Sequence, residues 1–314
     1  MSQKYDLAQA VGFDKGTLPV AWTNRDLLLY AIGIGATRHD LNLVYELQKD
    51  FTPFPTFPVV LAFKGSEPDV VDFNKSMSSP VPGLPSFDPS RILHGSQELE
   101  ILRPIPAVSG KGWTLRKKVV GVHENKTGVV VDTEDVLVGP DGLPYTRMLS
   151  ATFHVGAKAN GTKFDKAIVA PMKLSKPVPN GRAPDHVIRD VIGDSQAIIY
   201  RLSGDYNPLH IDPAIGKRAG FGGIIFHGLG SYGFVARGIL HSVAGGNPLA
   251  LKAISCRFSS PVKASDTLET SVWEIGPGPD GTVEFAFVTK NLTTGLVSLS
   301  NGIVYVKRGL KSKL

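Results

Sequence analysis

Residues 115–122, 127–138 and 145–155 alternate apolar and polar positions and are rich in β-branched side chains, which predicts strands with one face on a core. Residues 268–275, 283–290 and 296–306 repeat the arrangement. Turn formers separate the runs: Asn125-Lys126-Thr127-Gly128, Pro140-Asp141-Gly142, Pro277-Gly278-Pro279-Asp280-Gly281 and Thr293-Thr294-Gly295. Each set is preceded by a strand-like run that carries a proline, residues 98–106 with Pro104 and residues 254–262 with Pro261. The halves share this pattern with little residue identity, as an old internal repeat does.

Helical periodicity accompanies each set. Asn24 is the expected N-cap of a helix with Asp26 in its first turn and an apolar run at 27–34. Residues 195–202 also read as helix, as do 227–240, with Leu229, Tyr232, Phe234, Val235 and Ile239 apolar. The last contains Gly230, Gly233 and Gly238, each costing about 1 kcal/mol against alanine in a helix interior. Such glycines predict a backbone pressed against a neighbour, often a sheet. Residues 156–184 are polar and proline-broken, either an irregular linker or a segment wrapped across the sheet. The expected fold class is α+β: a helix wrapped by an antiparallel sheet, present twice. The expected units are residues 1–157, a linker over 158–184, and residues 185–314.

Composition narrows the function classes. The 314 residues are 42% hydrophobic and 20% charged, ordinary for a globular chain, with a net charge of +6. A basic excess fits a solvated surface or a ligand bearing phosphates. No run of five Lys/Arg occurs, so nucleic acid is not an expected partner. Cys256 is the single cysteine, which excludes an intrachain disulfide and a multi-thiolate metal site and leaves a small buried hydrophobe. No window approaches 18 apolar residues and no secretory signal is present, so a soluble, unsecreted chain without a membrane span is expected. The terminal Ser312-Lys313-Leu314, behind basic Lys307, Arg308 and Lys311, predicts a peroxisomal address read by an import receptor.

Candidate chemistry concentrates in residues 200–212. Ser203-Gly204 ends the preceding helix, and Pro208 prevents another from running on. Asp205, Asn207 and His210 therefore share an irregular loop, where a carboxylate, an amide and an imidazole can converge on one water. The same residues are turn formers, so Asp205 as a plain backbone cap is an equal alternative. A metal held by His210 and Asp212 is weaker, because no second histidine lies one helical turn away. Downstream, Gly220-Phe221-Gly222-Gly223 leads to His227-Gly228-Leu229 at a helix start, where free N–H groups suit an oxyanion. The run is not GxGxxG, so no nucleotide site is expected.

Taken together, Tyr200 and the following Ser203-Gly204-Asp205-Tyr206-Asn207-Pro208-Leu209-His210, then Gly220-Phe221 and His227-Gly228-Leu229, resemble the hydratase 2 signature of the MaoC-like family. Residues 29–36 and His94-Gly95-Ser96-Gln97 resemble segments of the same enzymes, so the likeness covers nearly the whole chain. It implies a double hot-dog fold whose second half is catalytic and whose first half accommodates the acyl chain without catalysing. It implies hydration of trans-2-enoyl-CoA to (3R)-hydroxyacyl-CoA in peroxisomal β-oxidation, by a homodimer with no cofactor or metal. Asp205 and His210 match the family's catalytic pair, Asn207 its water-orienting amide, and Gly228 its oxyanion-hole donor. Lys217, Arg218, Arg257 and Lys263 are candidates for the CoA phosphates, being basic and near the motif. The chain departs from the family at Gly223, where proline is common, and at Gly230, where cysteine is common. The alternatives are a 3-hydroxyacyl dehydratase, a thioesterase, or a non-catalytic acyl-CoA binder.

Overall fold

The alternating runs form strands that all pair antiparallel, and the computed structural model describes residues 5–73, 80–88 and 91–309. The strands are β1 (Asp14–Pro19), β2 (Ile92–Ile101), β3 (Thr114–Asn125), β4 (Gly128–Val138), β5 (Pro144–Val155), β6 (Phe164–Ala167), β7 (His186–Val191), β8 (Leu251–Phe258), β9 (Thr267–Pro277), β10 (Thr282–Asn291) and β11 (Val297–Lys307). Among the described residues they make one sheet in the order β1-β3-β4-β5-β2-β8-β11-β10-β9-β7, with β6 added beside β3. The order reads the same from either end if β1 to β5 stand for β7 to β11. The halves thus meet at a central β2–β8 seam, where Glu98 faces Ser255. Pro104 and Pro261 are separated by the same number of positions as that facing pair.

The helices are α1 (Leu7–Ala10), α2 (Asn24–Gly33), α3 (Leu41–Val44), α4 (Leu61–Lys64), α5 (Gln196–Arg201), α6 (Pro213–Arg218) and α7 (Gly228–Ala244). The wrapped helix of the second half is α7, and Phe234, Val235, Ile239 and Leu240 along it are buried. Burying each such side chain is worth about 1.5–3 kcal/mol. Its place in the first half is taken by a shorter stretch, a 3-10 turn at Phe57–Val60 running into α4. Gly230, Gly233 and Gly238 in the body of α7 mark three close approaches. A Cβ at Gly230 would sit 2.3 Å from Phe226, one at Gly233 2.3 Å from Ile34, and one at Gly238 2.7 Å from Ile188 on β7. Only the last is a sheet contact, and Gly233 instead lets the first half dock.

Other expectations change in detail. The N-cap of α2 is Thr23, one residue before the expected Asn24. Its N–H and its hydroxyl both donate to the Asp26 carboxylate, at 2.7 and 2.9 Å, which fixes the helix start. Both halves open on a short edge strand, β1 or β7, ahead of the helix.

The linker is more than a tether. Its β6 pairs with β3, held there by His123, whose Nδ1 and Nε2 lie 2.5 and 2.9 Å from Asp165 and Asp132. The two carboxylates hold the imidazole cationic, with its pKa raised to about 9. Three acidic side chains of the sheet then grip the passing backbone. Glu124 of β3 accepts from the N–H groups of Ala159, Asn160 and Gly161, Glu98 of β2 from Met172 at 2.8 Å, and Glu284 of β10 from Ser175 at 2.8 Å. The segment thus crosses from the first half to the second as a strap, the wrapping arrangement left open by the sequence. Among the described residues no helix is long and apolar enough to cross a membrane.

Candidate active site

The loop after α5 is shaped by its glycine and proline. Gly204 has φ +135, and a Cβ there would lie 2.7 Å from that of Lys64, so the loop rests on α4 of the first half. Pro208 opens a 3-10 turn, Pro208–His210, capped by the Asn207 side-chain oxygen, which accepts from Leu209 N–H at 3.0 Å. This cap engages one lone pair of the Asn207 carbonyl oxygen and fixes the side chain beside Asp205 and His210 in the loop. Asp205 accepts from Asn207 N–H at a long 3.3 Å, so the turn-forming alternative is realised as well, but as a weak contact.

The turn carries His210 back against Asp205, and both are buried. His210 Nδ1 lies 2.9 Å from the Ile225 carbonyl oxygen. A carbonyl only accepts, so Nδ1 holds the proton and Nε2 is left as a base. Burial lowers the His210 pKa, partly countered by the Asp205 charge and by Ile225. Burial raises the Asp205 pKa, partly countered by His210 and the Asn207 N–H. The pair is thus a neutral imidazole beside a carboxyl group that gives up its proton reluctantly.

The third member of this cluster is His227, which the sequence offered only as part of the His-Gly-Leu step. It is 1% exposed and stacks on His210 with ring centroids 3.6 Å apart and 27° between planes. Its Nε2 faces the Asp205 backbone oxygen at 3.2 Å, so Nε2 carries the proton and Nδ1 is a buried nitrogen without a partner. Burial, followed by the neighbouring His210, pushes its pKa well below the ordinary value. A histidine directly before a buried helix start is the signal that marks it. Ligand atoms of Asp205, His210 and His227 lie within 4.8 Å of one another, close enough for a metal. Asp212 stands apart, capping α6 by accepting from Ala214 N–H at 2.8 Å.

Gly228 is the first residue of α7, and its N–H precedes the first bond of the helix, Ser231 to the His227 carbonyl at 3.1 Å. A Cβ there would press on the Phe258 ring at 3.1 Å. The Gly230 departure has a steric reason, because the Phe226 ring occupies the space a cysteine would need. Of the basic candidates, Lys217 and Arg218 are exposed at the end of α6, and Lys263 is exposed beside the Gly222 turn. Arg257 alternates with buried Cys256 on β8 and so projects from the sheet face opposite the helices. Cys256 itself is 2% exposed, with its thiol pKa raised by burial, an inert packing residue.

Residues 175–295 match the family model described as MaoC like domain, and residues 21–156 match the MFE-2 hydratase 2 N-terminal domain. "Probable dehydratase NIT22" of Ajellomyces capsulatus is 38% identical over 84% of this chain and 71% of its own length. "Probable enoyl-CoA hydratase 2" of Dictyostelium discoideum is 34% identical over 93% of each chain. "Peroxisomal multifunctional enzyme type 2" of Mus musculus is 37% identical, and there the match spans only 38% of the longer protein. The crystal structure of a MaoC-like dehydratase from Phytophthora capsici superposes with a TM-score of 0.86 at 33% identity, covering 98% of this chain and 99% of that one. The chain belongs to the MaoC-like hydratase 2 family, with the MFE-2 hydratase 2 N-terminal domain preceding the MaoC-like domain.

Proposed function

We propose that the chain is a hydro-lyase that hydrates trans-2-enoyl-CoA to (3R)-hydroxyacyl-CoA. The observation that carries this is the buried Asp205–His210 pair, with a neutral imidazole whose Nε2 is free to act as a base. A water held by the two side chains attacks C3 and gives its proton to the pair. The pair delivers a proton to C2, so the enzyme ends each turnover as it began. Between these steps negative charge gathers on the thioester oxygen. The Gly228 N–H and the partial positive charge of the α7 N-terminus stabilise that oxygen. Water and returned proton come from one loop, which favours addition to a single face and the (3R) product. Asn207 holds the loop turn through its carbonyl oxygen and orients the water as well.

The first half, residues 1–157, accommodates the acyl chain, residues 158–184 link the halves, and residues 185–314 catalyse. Lys217, Arg218 and Lys263 on the exposed rim meet the CoA phosphates, and Arg257 does so only if the nucleotide folds over the outer sheet face. A homodimer belongs to the same reading, with exposed Ile32, Ile198 and Leu202 offering an apolar contact face. So does a peroxisomal location reached through an import receptor, supported by the peroxisomal relative and by Ser312-Lys313-Leu314, which lies outside the described residues. Dehydration of the hydroxyacyl thioester is the same chemistry run backward, which accommodates the relative named as a dehydratase. The test is turnover of crotonyl-CoA and a longer enoyl-CoA, with chiral analysis of the product. No turnover, or a (3S) product, removes the proposal.

A further inference from the structure

The β2–β8 seam relates the two halves position by position. Each strand carries a one-residue bulge at the corresponding place, Gly95 in β2 and Lys252 in β8. The bulge at Gly95 brings the backbone so near its neighbour that a Cβ would lie 3.2 Å from the Ala151 carbonyl oxygen. It also turns His94 onto the same sheet face as Gln97 and Leu99, the face covered by helices. Under the repeat, His94 corresponds to Leu251, and Phe258 to Ile101.

The two equivalent regions have diverged. At the first-half helix start, Leu251 and Ile101 line a small apolar pocket with Pro53, Pro55 and Pro58. At the start of α7, the His94 ring meets Phe258 edge-on with centroids 4.8 Å apart, and Phe258 in turn packs on Gly228. His94 Nε2 is shut off from solvent and has no hydrogen-bond partner, while the residue as a whole is partly accessible. The Ser96 backbone and the Gln97 side chain hydrogen-bond the imidazole and hold its orientation, so the position that is leucine in the twin here presents a fixed ring whose buried Nε2 makes no bond of good geometry, and such an atom calls for a ligand.

We propose that His94 is a substrate-positioning residue that the first half lends to the catalytic cleft, where Nε2 hydrogen-bonds an amide of the pantetheine arm of acyl-CoA. The inference depends on the acyl-CoA reading of the Asp205–His210 site. The oxyanion lies at Gly228, and the first pantetheine amide lies two methylenes beyond the thioester sulfur. The Phe258 ring touches both Gly228 and His94, which places His94 one side chain away from the proposed oxyanion donor. Burial keeps the imidazole neutral, with its pKa lowered to about 4, so the bond persists through the physiological range. A first half without a general base then takes part in binding as well as in housing the acyl chain.

The test compares wild type with His94→Leu, which installs the residue of the twin position, and with His94→Gln, which keeps a hydrogen-bonding group. Calorimetry with butyryl-CoA, a saturated thioester that cannot be hydrated, reads binding without chemistry. His94→Leu is expected to weaken binding about three- to tenfold, the value of one hydrogen bond, and His94→Gln to recover part of it. With crotonyl-CoA the Leu variant should raise KM by a like factor at nearly unchanged kcat. With S-ethyl thiocrotonate, which has no amide, the variant and wild type should have equal kcat/KM. Unchanged butyryl-CoA binding in both variants overturns the proposal, and so does an equal loss on the ethyl thioester. Wild type that binds butyryl-CoA but does not turn over crotonyl-CoA removes the hydratase reading and leaves the binding role of His94 to be judged by the calorimetry.

Discussion

Replacing Asp205 with asparagine should inactivate the protein and stabilise it at the same time. The carboxylate is 9% exposed, and its one backbone hydrogen bond is a long 3.3 Å from Asn207 N–H. An amide oxygen can accept that same bond, so shape and the loop turn survive. What disappears is a poorly compensated buried charge, which costs on the order of 1–3 kcal/mol. At neutral pH the variant should gain at least the lower end of this range, about 2 °C in Tm for a chain of this size. The sign follows from the raised pKa of Asp205. Below the ordinary carboxylate pKa the group is neutral in both folded and unfolded states, so the variant gains nothing there. As pH rises through the folded pKa, wild type loses stability and the variant does not, so the gap should widen. Activity should move the other way, with kcat down by about 10²–10⁴, as for loss of a general acid–base group. Thermal unfolding between pH 4 and 8, paired with crotonyl-CoA turnover, checks both. A variant that retains near-wild-type kcat refutes the catalytic role. A variant less stable than wild type at pH 8 refutes the desolvation reasoning.

Three further outcomes are expected. His210→Ala should lower kcat by about 10² or more, and the double variant with Asp205→Asn should be little worse than the worse single one, since both act on one water; multiplicative losses in turnover would show independent roles. Gly233→Ala should destabilise by about 1–3 kcal/mol, because the new methyl meets Ile34 at 2.3 Å; an unchanged denaturation midpoint would contradict that contact. Deleting Leu314 from a fluorescent fusion should turn punctate peroxisomal signal cytosolic, and persistent puncta would remove the terminal tripeptide from the account.

The long strands were readable because their alternation is set by one buried face, and the two prolines already carried the spacing of the repeat. The edge strands were not readable in this way. Only four residues long, β6 is held by Asp165 meeting His123, a partner far away in sequence. The strap was readable only as one of two alternatives and its anchors were hidden, since Glu98, Glu124 and Glu284 look like ordinary surface acids until the backbone they grip is in place. At the site, Asp205 and His210 stood out because glycine and proline force a loop around them. His227 did not, because its work is done through a backbone oxygen twenty-two positions earlier, a relation that local pattern does not encode. Gly230, Gly233 and Gly238 of α7 were read correctly as close approaches, but of these three only Gly238 meets a strand.

The seam between β2 and β8 joins halves of one polypeptide, and this changes how the cleft responds to dilution. Two separate chains of a half each would lose their shared cleft as concentration fell below their dissociation constant. Here the second half meets the first at an effective concentration in the millimolar range or above, fixed by the strap whatever the protein concentration. Self-association of whole chains can therefore vary without dismantling a cleft that draws on both halves. Joining also frees the two sides from identity. A substitution in a symmetric pair is imposed twice, whereas in this chain histidine can stand at position 94 while leucine lines an apolar pocket at the twin position 251.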